Sequence, residues 1–145
     1  MTAGKRTATE RVTRSVPPSR EVAALAAKAA ASKQATDIVV LDVHEHIVIT
    51  DFFVICTASS QRQVKTVIEA IEDSIRELGE KPIRREGEQE AGWWLLDYID
   101  VVVHVFGEEE RDYYDLERLW KDAPRLEWNK PEAPDLRVDS DTQGP

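Results

Sequence analysis

The stretch Trp93 to Phe106, WWLLDYIDVVVHVF, sets two runs of β-branched and aromatic residues on either side of a very short link. Strands joined so tightly are expected to pair as an antiparallel hairpin, Trp93–Tyr98 with Asp100–Phe106. Strand side chains alternate between faces. Val101, Val103 and Val105 therefore share one face, and Val102, His104 and Phe106 the other. Trp93 and Trp94 are divided in the same way, so helices covering one face alone cannot bury both indoles.

The rest of the chain supplies partners for this hairpin. Ser60 and Gln63 match a capping box, and Val64, Val67, Ile68, Ile71, Ile75 and Leu78 follow on one helical face up to Gly79. The alanine-rich run EVAALAAKAAASK predicts a helix of small residues beginning at Arg20 with Ser19 as its N-cap. DIVVLDV, residues 37–43, predicts a buried strand, followed by a polar turn at His44-Glu45-His46. Ile47–Thr50 and Phe52–Thr57 read as a second extended region, and Pro82–Arg85 as a short edge strand. Glu108 to Asp122 reads as one helix ended by Pro124. The order α–β–β–α–β–β–β–α is met most simply by an α/β fold with a mixed five-stranded sheet flanked by helices.

Residues 1–18 are polar, aperiodic and basic, and are expected to form a disordered leader before a domain at 19–124. Residues 125–145, with several prolines and aspartates, are expected to form a flexible tail. One cysteine in 145 residues cannot form an internal disulfide and suits a reducing, cytoplasmic location. No apolar run approaches the roughly 20 residues that cross a bilayer, so no membrane association is expected. The formal net charge of −9 repels phosphates, so little direct nucleic-acid binding and a basic protein partner are the expectation.

Chemistry-bearing residues form no recognisable catalytic pattern. His44 and His46 lack the further ligands of a zinc site and read as turn histidines. Cys56 lies within a strand and reads as a small apolar residue, although a pairing with His104 would make it a nucleophile. Asp97 and Asp100 flank the hairpin turn, where an aspartate bonds the turn's own backbone. No metal and no cofactor are expected. Aromatic residues, by contrast, crowd the last third of the chain. One of Trp93 and Trp94, and one of Tyr113 and Tyr114, is a candidate surface anchor. An uncovered face of the hairpin would be an apolar surface rimmed by acids.

The segments DIVVLDV, ITDFFVICTASSQRQV, WWLLDYIDVVVHVF and RDYYDLERLWKDAP, in this order, resemble the ribosomal silencing factor family, also called the RsfS or Iojap family. Trp93, Leu95 and Asp97 match its W-x-L-x-D strand, and Asp97, Asp100 and His104 its D-x-G-D-x-x-x-H pattern, with Ile99 where the family has glycine. Tyr114, Leu116, Glu117, Leu119 and Trp120 match its Y-x-L-E-x-L-W helix. The resemblance implies a nucleotidyltransferase-like fold without catalytic acids, hence no enzyme. It also implies binding to protein number fourteen of the large ribosomal subunit, which would keep the small subunit from joining when nutrients are scarce. On this reading Trp93, Leu95, Asp97, Tyr98, Ile99, Val101, Val103, His104, Tyr113 and Tyr114 are the expected partner-binding residues. A metal-dependent nucleotidyltransferase and a self-associating homodimer are the alternatives. The first lacks paired acids on one strand, and the second would use the same sheet face.

Overall fold

The computed structural model describes residues 18–47 and 49–129, and the expected leader and most of the expected tail lie outside them. Among the described residues nine elements follow in order: α1 (Ser19–Ser32), β1 (Thr36–Asp42), β2 (Phe52–Thr57), α2 (Gln61–Arg76), β3 (Arg84–Glu88), β4 (Trp93–Asp97), β5 (Val101–Phe106), α3 (Glu108–Tyr114) and α4 (Leu116–Leu119). The strands form one sheet in the order β1-β2-β5-β4-β3. Only β2 and β5 are parallel. A parallel pair needs a long crossover. Here it contains α2 and then β3, from which the chain returns to β5 as a meander.

Alternation along each strand sends one set of side chains toward α1 and α2. Val40, Phe52, Val54, Cys56, Val101, Val103, Val105 and Leu96 pack there against Val64, Val67, Ile68, Ile71 and Ile75, the stripe the helical spacing predicts. Ala23, Ala26, Ala27 and Ala30 of α1 are fully buried in the same cluster. Their small side chains let α1 lie close to α2 and the sheet. Leu41, Ile55 and Phe106 point to the second face, where Tyr114, Leu116, Trp120 and Ala123 cover only one end of the sheet.

Several local expectations give way to tertiary contacts. Ser19 is the first residue of α1, not its cap; Pro18 holds the N-cap position in an extended conformation. The Ser19 hydroxyl donates instead to Asp51, 2.8 Å away. At the start of α2, Ser60 Oγ accepts from the Gln63 N–H, but Gln63 Oε1 accepts from Ser59, one residue before the capping-box position. The second extended region shortens to Phe52–Thr57, and the edge strand lies at Arg84–Glu88, two residues later than expected.

The last helix is broken. Asp115 has φ 47, a left-handed conformation that Asp tolerates better than most residues. The break lets Glu117 turn back on Arg111, which an unbroken helix would place about 120° away around its axis. The start of the expected tail is also seated in the fold. Asp42 N–H donates to Pro124 O, Leu126 N–H to Val40 O, and Leu126 and Trp128 pack on the core. These bonds cover the outer edge of β1, which would otherwise leave its backbone groups open.

Candidate functional site

The hairpin closes as expected, with Trp93 opposite Phe106, Leu95 opposite His104 and Asp97 opposite Val102. Its turn is held by Asp97, whose Oδ1 accepts from the Ile99 N–H at 2.8 Å, while Asp100 N–H donates to Tyr98 O. This tight reversal drives Ile99 to φ 74, a region that disfavours β-branched residues. The Ile99 side chain is half exposed at the tip.

Trp93 and Trp94 do occupy opposite faces, each half buried. Trp94 joins the cluster beneath α2. Trp93 lies 4.5 Å from the Tyr114 ring and 5.0 Å from Phe106, centroid to centroid. Its indole N–H donates to His104 Nδ1 at 3.1 Å. Nδ1 is therefore the acceptor, and His104 is a neutral ring protonated on Nε2. Burial pushes the His104 pKa down to about 3. Its Nε2 has no hydrogen-bond partner and is shut off from solvent.

Beyond Trp93 the second face is open. Phe53, Leu95, Asp97 and Val102 are half buried and lie next to one another across β2, β5 and β4. The exposed β3 places Arg84 and Glu86 beside them, opposite Asp97 and Leu95. Arg84 is tied to both Glu86 (3.3 Å) and Asp97 (3.0 Å), so acids dominate this rim. Ile99 stands at one end of the patch. Tyr113, 80% exposed, lies on α3 at its other side, packed edge-on against Tyr114.

Not every expected contact residue reaches this surface. Val101 and Val103 are completely buried under α1 and α2 because alternation points them to the other face. Tyr98 shares that face and is only 7% exposed, with its hydroxyl unpartnered. These three cannot touch a partner in this conformation, and His104 can act only from beneath the surface. Trp93, Leu95, Asp97, Ile99, Tyr113 and Tyr114 retain accessible area, and Val102 and Phe53 join them. Sequence reasoning passed over both, although the alternation that places His104 on this face places Val102 there too.

It also passed over Arg111. This side chain is buried, gripping Glu117 through Nε (2.9 Å) and Nη2 (3.1 Å) and donating from Nη1 to Thr57 Oγ1 (2.7 Å). Those bonds hold the Glu117 carboxyl below its ordinary pKa and anchor the broken helix that carries Tyr114. The alternative chemistry meets a geometric obstacle. Cys56 lies beside Val105 and Ile55 beside His104, so Cys56 and His104 are on opposite faces of the sheet. Burial moreover pushes the Cys56 thiol up to about 12. His44 and His46 are exposed, with His44 bonded to Asp42 at 2.5 Å. Among the described residues no group of three or more metal-ligating side chains is assembled, and no helix is long and apolar enough to cross a membrane.

The comparisons agree on one family. Residues 16–144 match the family described as "Ribosomal silencing factor during starvation". The chain is 43% identical over 105 residues to the ribosomal silencing factor RsfS of Bacillus subtilis, which covers 72% of this chain and 89% of that one. It is 40% identical over 104 residues to the chloroplastic protein Iojap of Zea mays, covering 70% of this chain and 44% of the maize protein. A crystal structure of a Chromobacterium violaceum protein, 31% identical, superposes with a TM-score of 0.68 over 81% of this chain and 97% of the other.

Proposed function

Since the chain belongs to the ribosomal silencing factor family, a family of translational regulators acting during starvation, we propose that it binds the large ribosomal subunit and blocks joining of the small one. The partner on the subunit is a basic protein, number fourteen of the bacterial series, and the site of action is the cytoplasm. The mechanism is steric: the bound domain fills space the small subunit must enter, and no bond is made or broken.

The open half of the second sheet face carries this reading. Phe53, Leu95 and Val102 form an apolar centre, Ile99 and Trp93 lie at its margins, and Asp97, Glu86 and Glu88 line its edge. An apolar centre with an acidic rim complements a basic protein: desolvation of the centre supplies affinity, and the rim supplies orientation and speed of encounter. Neighbouring strands hold the patch rigid, so little ordering free energy is lost on binding.

Co-sedimentation with purified large subunits tests it. The wild type is expected to pellet with the subunit at moderate salt. Val102→Lys and Leu95→Lys place a cation in the apolar centre and are expected to leave the protein in the supernatant. A wild type that stays in solution at low salt rejects ribosome binding. Variants that pellet as well as the wild type move the interface elsewhere.

A further inference from the structure

On the face opposite that patch, α2 leaves the β3–β4 edge uncovered along its N-terminal half. The result is a groove of about 440 Å³ lined by Arg62, Val64, Lys65, Ile68, Arg85 and Trp94. We propose that this groove binds a single-stranded RNA segment, with a base stacked on Trp94 and its phosphates held by Arg62 and Lys65.

Three observations support this occupant. First, Arg62 and Lys65 are exposed and enter no ion pair among the described residues, although acids outnumber bases 28 to 19. Arg85 also lines the groove, but its charge is paired with Glu72 at 2.9 Å, so Arg62 and Lys65 supply the free positive charge. Cations concentrated in one place are what binding a phosphate backbone requires, whatever the net charge elsewhere. Secondly, the wall between them is aromatic. Trp94 lies opposite Gly87, and a Cβ at Gly87 would collide with the indole, so the missing side chain seats the ring against the backbone of β3. A fixed indole beside cations suits a nucleobase, which stacks on it whatever its sequence. An acidic peptide would use the cations and leave the ring idle. Thirdly, alternation puts Trp94 and Trp93 on opposite faces, so the groove stays free when the acidic-rimmed face is occupied.

The test is fluorescence anisotropy of a labelled single-stranded oligoadenylate of about eight nucleotides titrated with the full chain, with intrinsic tryptophan emission followed in parallel. Two to three phosphate contacts at about 0.7 each give a slope of about −1.4 to −2 for log affinity against log salt. Arg62→Ala/Lys65→Ala, both exposed, is expected to keep the wild-type melting curve and to weaken binding in dilute salt by roughly tenfold or more. RNA should quench tryptophan emission in the wild type and much less in Trp94→Phe, whose ring still packs on Gly87. The proposal is overturned by no binding in dilute salt, by a double variant that binds like the wild type, or by unchanged quenching in Trp94→Phe. Equal competition from a polyglutamate peptide also overturns it, because the groove is then a site for acidic peptides. Free RNA is the probe, so failure here leaves the ribosome-binding reading intact, and the reverse also holds.

Discussion

Glu117→Ala should destabilise the fold far more than Arg111→Met, although both remove the same ion pair. In Glu117→Ala the Arg111 guanidinium stays buried, at 7% exposure, and loses both carboxylate bonds, keeping only Thr57 Oγ1. Removing one partner of a fully buried pair costs about 3–5 kcal/mol. The Glu117 side chain is 24% exposed, so water can partly replace it, and about 3 kcal/mol is the reasonable figure. For a domain of this size that lowers Tm by roughly 12 °C. In Arg111→Met an apolar chain fills the site, while Glu117 keeps its access to water and lies 3.9 Å from Arg125. The main loss is then the donor to Thr57, about 1 kcal/mol. The Glu117 pKa is lowered in the fold, so the bridge contributes fully above the carboxyl's unfolded pKa and is lost as pH falls through the folded value. The deficit of Glu117→Ala should accordingly shrink in acid. Urea midpoints at neutral pH and in acid, with the double variant closing the cycle, measure all of this. An Arg111→Met variant as damaged as Glu117→Ala would refute the reasoning.

His104 should make the protein less stable as pH falls. The folded ring stays neutral down to about pH 3 while the unfolded chain takes up a proton near 6.5, so stability is lost by about 1.4 kcal/mol per pH unit below 6.5. In His104→Asn the amide oxygen can accept from Trp93 without titrating. Its urea midpoint should change less between pH 7 and 5 than that of the wild type, and an equal change would show that His104 is not the group responsible. Ile99→Gly should raise stability by about 0.5–1 kcal/mol, because relief at φ 74 exceeds the added unfolded-chain entropy. The same change removes a half-exposed apolar side chain and should weaken large-subunit co-sedimentation. A lower Tm for Ile99→Gly would refute the strain.

Periodicity explains which parts of this protein can be read without coordinates. The stripe on α2 and the two faces of the hairpin follow from side chains repeating at 3.6 or 2.0 residues, and each repeat reports only on its own segment. The first strand shows instead as a continuous apolar run, and the wholly exposed β3 carries no apolar repeat and lies two residues beyond its expected place. The segment motifs likewise suffice for the family. The choice of face cannot be read in that way. The hairpin carries valines on both sides, so alternation sorts Val101 and Val103 from Val102 without saying which set the helices cover. That is decided by α1 and α2 packing on the first face while α3 and α4 reach only one end of the second. Tyr98 and Ile99 are adjacent in sequence, yet one is buried and the other exposed for this reason. The break at Asp115 has the same origin. Local propensity favours a continuous helix, and only the meeting of Arg111 with Thr57, 54 residues away, and with Glu117 fixes the bend. The sequence by itself thus determined the family and the order of the elements, but not the break at Asp115 or the bounds of β3. The tertiary structure alone decided which residues can meet a partner, because burial depends on contacts between segments that no local pattern encodes.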